Sequence, residues 1–216
     1  KDVRIGDTVV VQRAGDVIPE IVRVVLEKRR PSSAVYPRPT HCPACGTTLI
    51  QVQDQVVWRC PNSEECPDQI LGAIKHFVSR PAMNIDGLGE RIIVQLISAG
   101  LVKNAADLYT LQYSQLHILP RFAARSARNL LESIEKSKKT SLSRLLYALG
   151  MREVGTQTAK NLASIYQSWQ ELAQQQEEDL AEIKDIGPVA ASSIVAFFKQ
   201  EKNKTLLVSC FQLMQI

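Results

Sequence analysis

Four cysteines, Cys42, Cys45, Cys60 and Cys66, follow one another as C-x2-C-x14-C-x5-C. A thiolate pair two residues apart on a tight turn grips one side of a tetrahedral Zn²⁺, and a second pair returned by a short hairpin closes the other side. Within Cys42-Pro43-Ala44-Cys45-Gly46 a proline sits inside the loop and a glycine just after it, where a positive φ is often required. Ordinary buried thiols are the competing reading of the same four residues. If a metal is held, the site is structural: sulfur fills all four positions, which leaves none for a reactive water, and the adjacent His41 is not needed as a ligand.

A second pattern carries a different chemistry. Nine-residue stretches begin at Ile85 (IDGLGERII), Leu119 (LPRFAARSA), Met151 (MREVGTQTA) and Ile183 (IKDIGPVAA), so they are 34, 32 and 32 residues apart. Position one is apolar in each. Position four is Leu88, Phe122, Val154 or Ile186, and position five is Gly89, Ala123, Gly155 or Gly187. Position nine is Ile93, Ala127, Ala159 or Ala191, and an amphipathic helical pattern follows each stretch. A glycine at the mouth of a helix, after a tight turn, leaves backbone N–H groups uncovered with the positive end of the helix dipole behind them. Such a site takes a phosphate without side-chain charge, and it positions a protein on nucleic acid without reading sequence. One copy alone is a plain helix N-terminus; the repetition points to a row of phosphates. A period near 34 also admits a tetratricopeptide solenoid, which expects aromatic and alanine positions between helices and no glycine-bearing hairpins.

These features have to be held by an ordinary globular chain. The 216 residues are 45% hydrophobic, with a net charge of +4 and a pI near 8.8, compatible with a polyanionic partner but too mild to identify one. Five cysteines, four of them in the metal pattern and Cys210 apart, suit a reducing compartment better than a disulfide framework. No stretch approaches the 18 or so apolar residues of a membrane span, and no signal peptide opens the chain. Thr8 to Gln12 and Val17 to Leu26 alternate as β-strands, with Pro19 suited to an edge or a bulge. Two or three strands bury no core, so this piece is expected to be the tail of a larger barrel. Glu27 to Ser33 reads as a polar linker whose cations either touch phosphate or are solvated. Beyond Cys66 the chain turns helical, and Lys202 to Ile216 carries no motif.

In order, Arg4-Ile5-Gly6-Asp7-Thr8-Val9-Val10, Arg13-Ala14-Gly15-Asp16-Val17-Ile18-Pro19, the four cysteines and four helix-hairpin-helix candidates resemble the C-terminal half of bacterial NAD-dependent DNA ligase. The resemblance covers essentially the whole chain. It implies a mainly α fold with a small β part. Residues 1–35 would be the last strands of an oligonucleotide-binding (OB) barrel and a linker, 36–70 a four-cysteine zinc finger, 71–205 a domain of four helix-hairpin-helix motifs, and 206–216 a tail toward a BRCT-type domain. Ligases of this family move AMP from NAD to a lysine, then to the 5′-phosphate of a nick, with Mg²⁺ offsetting charge. The lysine lies in a Lys-x-Asp-Gly motif. Here Asn84-Ile85-Asp86-Gly87 has asparagine in its place, and Lys184-Asp185-Ile186-Gly187 has the aspartate misplaced. The chain is therefore expected to be a piece of the enzyme, unable to ligate alone.

By the same resemblance, Cys42, Cys45, Cys60 and Cys66 would bind structural zinc, and amides near Gly87, Gly89, Gly155 and Gly187 would meet the phosphates of nicked double-stranded DNA across the minor groove. Arg91, Arg125, Arg128, Arg152 and Lys160 would add salt-dependent affinity, and Arg13 and Asp16 would lie near the nick. No catalytic residue or NAD site is expected in the chain itself. It would act as a monomer in the bacterial cytoplasm, at the nucleoid. The second hairpin lacks glycine and is expected to be scaffold, the alternative being that Arg121 and Arg125 replace amides with charge. A freestanding zinc and helix-hairpin-helix repair protein, or a helical interaction scaffold, are the other function classes.

Overall fold

The computed structural model describes residues 1–15, 18–51, 57–120 and 122–214, with Ala14 described by its backbone alone. Asp16, Val17 and Arg121 lie outside the described residues. The chain divides between Pro61 and Asn62 into two compact units.

In the first unit, β1 (Val9–Ala14) pairs antiparallel with β2 (Ile18–Val24), from Val9 opposite Val24 to Ala14 opposite Ile18, with a register shift after Val10. The second expected strand ends earlier than its apolar alternation suggests, because Leu26–Lys28 winds into a 3-10 turn closed by Arg29 N–H to Leu26 C=O. Pro19 lies opposite Arg13, away from the bulge, in a ladder of only two strands among the described residues. The ribbon buries no core: Ile5, Val11, Ile18 and Leu26 are more than half exposed. A shorter ribbon, β3 (Ile50–Gln51) with β4 (Trp58–Arg59), follows.

A polar clamp holds the start of this unit. Gly6, at φ +86°, turns the chain so that Asp7 N–H reaches Arg4 C=O, and the fully buried Asp7 carboxylate receives Arg4 N–H at 2.8 Å. Arg29 then donates to both Asp7 oxygens, from Nε at 3.0 Å and Nη2 at 2.8 Å, and to Asp2 from Nη1 at 2.9 Å. Arg29 is thus no part of a solvated linker, nor free for phosphate, because a planar guanidinium facing a carboxylate forms a two-pronged charged hydrogen bond. Arg29 beside Asp7 holds its carboxyl below the usual aspartate range. The folded pKa is lowered, so the stabilisation is complete above the unfolded value, about 4, and is lost as pH falls through the folded value. Protection of the Val25 amide, which donates to Thr8 C=O, should therefore fall on acidification below about pH 4. Asp7→Asn should lower that protection at neutral pH and flatten its pH dependence; an unchanged acid profile would remove Asp7 as the titrating group.

The second unit is helical: α1 (Pro67–Val78), α2 (Glu90–Ser98), α3 (Tyr113–Leu116), α4 (Ala124–Ser137), α5 (Leu142–Ala148), α6 (Thr156–Ile165), α7 (Trp169–Leu172), α8 (Glu177–Ala181), α9 (Pro188–Phe198) and α10 (Glu201–Leu213). The fold is thus mainly α with a small β part, as the sequence implies. Prolines open α1 and α9, where the missing N–H costs nothing. Helices pair as α1 with α2, α3 with α4, α5 with α6, and α8 with α9. Ile74, Phe77, Leu96, Leu130, Leu145, Leu146 and Leu162 fill the core, and Ala127, Ala159 and Ala191 are fully buried, their small side chains letting helix backbones approach. Gly150, at φ +68°, ends α5 where a Cβ would lie 3.3 Å from His76, whose ring meets Tyr147 C=O at 2.7 Å. The unread final segment is α10, with Leu207 and Cys210 fully buried, and the expected boundary at residue 205 falls within it. No described helix is long and apolar enough to cross a membrane.

Candidate metal centre and nucleic-acid interface

The cysteine segment is short of hydrophobic cover, and its backbone shapes it. His41 bridges Thr48 across a tight turn in which Cys42 N–H donates to Thr47 C=O and Gly46 N–H, at φ +72°, to Cys42 C=O, both at 2.8 Å. Glycine after the first pair is thus where a positive φ is needed. Cys60 comes directly after β4, and Cys66 is the N-cap of α1, its carbonyl accepting Ile70 N–H. The four sulfurs lie within 4.8 Å of one another, with Cys66 fully buried and Cys42 nearly so. Cys45 and Cys60 are 3.6 Å apart. Two sulfurs on one tetrahedral ion with bonds of about 2.3 Å sit about 3.8 Å apart, so the spacing suits an ion between them. The Thr47 hydroxyl and backbone N–H beside Cys45 pull its thiol down to about 6, favouring the thiolate that binds metal. The donor set is all sulfur and fits zinc.

The four hairpins are built alike around a buried residue. Position four is inside in every case: Leu88, Phe122, Val154 and Ile186 are 8% exposed or less. Positions three and five flank that residue on the outside where described. Position five is the N-cap of the following helix, Gly89 before α2, Ala123 before α4, Gly155 before α6 and Gly187 before α9, and its carbonyl accepts the N–H of position nine. No side chain caps these four helices. By contrast, Asn104, Ser141 and Ser168 cap their helices with side-chain oxygens. The hairpin helices therefore leave first-turn donors for something else.

The reason for glycine differs between the two glycine positions. Gly89, Gly155 and Gly187 have φ of −69°, −80° and −81°, which any residue adopts, and a Cβ on each would meet nothing within 4 Å. Neither conformation nor packing calls for glycine there; what its absence of a side chain leaves open is space outside the chain. Position three is the strained one, with Gly87 at φ +92°, Glu153 at +59° and Asp185 at +65°. Gly87 thus serves the turn and is not the helix mouth. The acidic pair went unnoticed in the sequence, although aligning it with Gly87 would have marked it.

Among the candidate cations, Arg13, Arg91, Arg125, Arg152 and Lys160 are exposed. Arg13 is on β1; Arg91 and Arg125 stand at position seven of the first and second hairpins, and Arg152 at position two of the third. Arg128 lies over the Tyr113 ring at 5.7 Å, tying α4 to α3 by a cation–π contact. The first hairpin's helix begins with Glu90, paired to Lys75 at 2.5 Å.

A four-cysteine finger and helices opened by uncapped glycine hairpins define a zinc-finger and helix-hairpin-helix protein. Comparison with known families narrows this. Residues 1–33 match the NAD-dependent DNA ligase OB-fold domain, residues 41–67 the NAD-dependent DNA ligase C4 zinc finger domain, and residues 144–207, which hold the third and fourth hairpins, the helix-hairpin-helix motif. The chain is 49% identical over 207 residues to a DNA ligase of Nitrosococcus oceani, an alignment covering 96% of this chain and 31% of that relative. The chain thus belongs to the NAD-dependent DNA ligase family and spans about a third of the length of the curated relative it matches.

Cys60→Ser removes one of four sulfurs and should lower the metal content of purified protein from one zinc per chain. A chelator should expose the segment from His41 to Pro67 to protease in the unaltered chain. One full equivalent of zinc in the serine variant, with unchanged proteolysis, would sink the four-sulfur assignment.

Proposed function

We propose that this chain is the duplex-holding region of an NAD-dependent DNA ligase, gripping nicked DNA through the backbone amides of its hairpins while zinc on Cys42, Cys45, Cys60 and Cys66 fixes the finger. The observation that carries this reading is the repeated helix mouth at Gly89, Gly155 and Gly187: uncapped, exposed, and glycine without a conformational or packing need for it. Aligned first-turn amides at the positive end of a helix bind phosphate oxygen, and a bare Cα lets the backbone close to hydrogen-bonding distance. Gly87 supports the first mouth by permitting its turn. Ala123 in the second hairpin puts a methyl group at the same place, which favours a packing role for that unit.

The exposed Arg91, Arg125, Arg152 and Lys160 add charge around the mouths, each neutralised phosphate steepening the log–log salt dependence by roughly 0.9 on B-form DNA. Arg128 has a structural employment on Tyr113 and contributes less. Arg13, on the ribbon, is the remaining candidate for contact near the nick, together with Asp16. The chain holds no Lys-x-Asp-Gly motif, so AMP transfer from NAD and the Mg²⁺ that assists it belong to other parts of a ligase, and the chain alone seals no nick. It acts as a monomer in the bacterial cytoplasm, at the nucleoid.

The test is binding of the purified, zinc-loaded chain to nicked and intact duplexes of several sequences over a salt series. Salt-sensitive, sequence-independent binding with a preference for the nick is expected; a folded chain that binds no duplex at low salt would overturn the reading. Gly155→Val and Gly187→Val should each weaken binding on every sequence alike, because a branched side chain holds phosphate away from the amides. Their stability should drop by no more than about 1 kcal/mol, the difference between glycine and valine as an N-cap. Loss of binding to one sequence only would contradict backbone recognition.

A further inference from the structure

The hairpins share a backbone path but not a charge. At position three the chain is left-handed, and Gly87 takes that conformation freely. Glu153 and Asp185 take it against the preference of L-residues; aspartate tolerates it better than glutamate, and neither as well as glycine. Backbone geometry alone would therefore place glycine or asparagine at all such turns, and a carboxylate has to be explained by something else.

The fold makes little use of these carboxylates. Glu153 is exposed, and no hydrogen bond or ion pair engages its carboxylate among the described residues. Asp185 is exposed and accepts one long bond, 3.4 Å, from Asn161 Nδ2, whose shorter bond of 2.9 Å goes to the Lys184 carbonyl. Each carboxylate directly follows an exposed cation, Arg152 or Lys184, and stands two residues before an open glycine N-cap, Gly155 or Gly187. The third and fourth hairpins thus run cation, anion, buried apolar residue, glycine. Each tip sums to zero charge in a chain whose net charge is +4.

A carboxylate at that place is opposed to the amides it accompanies. The helix mouth offers partial positive charge to a phosphate, and an acid beside it repels the same phosphate while cancelling its neighbouring cation. We propose that Glu153 and Asp185 are affinity-limiting residues: they hold negative charge beside the phosphate-binding amides of the third and fourth hairpins, offset Arg152 and Lys184, and keep the grip on the DNA backbone weak enough to be released. This rests on the duplex-binding reading above. A protein whose product is an intact duplex gains nothing from holding it tightly. Two charge-neutral hairpins supply geometry, leaving the charged share of binding to side chains elsewhere, such as Arg91 and Arg125.

The test replaces charge without changing shape or turn. Glu153→Gln, Asp185→Asn and the double variant are titrated against nicked and intact duplexes over a salt series, beside the unaltered chain and Glu132→Gln, an exposed site more than two turns along α4 from its helix mouth. Each tip variant should bind roughly two- to fivefold more tightly at low salt, the size expected for one exposed charge pair, with a salt slope steeper by up to about 0.9 per carboxylate removed. Dissociation from sealed duplex should slow by a similar factor, and Glu132→Gln should change less than either. Equal or weaker binding by both tip variants, while the unaltered chain binds duplex, would overturn the proposal and leave the duplex reading standing; weaker binding would mean that the acids assist, for instance by holding a cation against phosphate. If no protein binds, the duplex reading falls and this one with it. Thermal unfolding of each variant accompanies the titration, and tighter binding at unchanged midpoint excludes a gain that comes from folding.

Discussion

The second unit depends on one constraint, the burial of a single apolar side chain at the apex of each hairpin. Leu88, Phe122, Val154 and Ile186 pin the turns to the core, and each fixes its neighbours by geometry. A short turn cannot send adjacent residues to the same side, so position five must sit outside when position four sits inside. The N-cap is then exposed at the start of a helix whose ninth-position residue, three times a buried alanine, draws it against its partner. Burying an aliphatic or aromatic side chain contributes about 1.5–3 kcal/mol. That is ample to hold a turn whose third residue is left-handed, which costs an L-residue roughly 1–2 kcal/mol. The hairpins stay in a fixed pose without any ligand, and preorganised amides lose little freedom on meeting a phosphate.

The first unit solves the same problem of order with almost no core. Among its described residues Cys42 is the only buried apolar side chain. Its shape comes instead from directional bonds, namely Arg29 on Asp7 and Asp2, the Cys42–Thr47 turn and the converging sulfurs. Small modules without enough apolar surface commonly rely on metal ligation in place of packing, and their fold is then coupled to deprotonation of the ligands. The low pKa of Cys45 fits this, since it lessens the proton that a metal must displace near neutral pH.

What was legible in the sequence had short range or a repeat. The cysteine spacing named four sulfurs that the structure brings together, because two of the gaps are too short to go elsewhere. The hairpins could be found because four copies aligned, although one lacked glycine. What stayed hidden depended on distant partners. Arg29 in a run of polar residues looks like any linker cation until Asp7, 22 positions away, is seen to face it. Helix α10 was unreadable because Leu206, Leu207, Val208, Cys210, Phe211, Leu213 and Met214 are too crowded to form a stripe; its inner face is set by the helices it packs on. Two glycines of one motif, Gly87 and Gly89, looked equivalent and are not. Only dihedral angles separate the one that makes the turn from the one that keeps the mouth open.

That separation bears on how a chain with so small a net charge can face a polyanion. If lysines and arginines did most of the work, an excess of +4 over 216 residues would be poor provision, and exposed acids at the hairpin tips would be hard to understand. Amide recognition removes the difficulty. Partial charge on main-chain N–H groups does not enter the count of ionised residues, acts only within the first turn of its helix, and is directed by the backbone that the apical side chain fixes. A surface built this way attracts a phosphate at hydrogen-bonding distance without the long-range pull that binds any polyanion from afar, so contact depends on matching the spacing of the mouths to the spacing of phosphates. Near-neutral composition is then a condition for recognising the shape of a backbone, since a strong uniform field would reward any arrangement of negative charge.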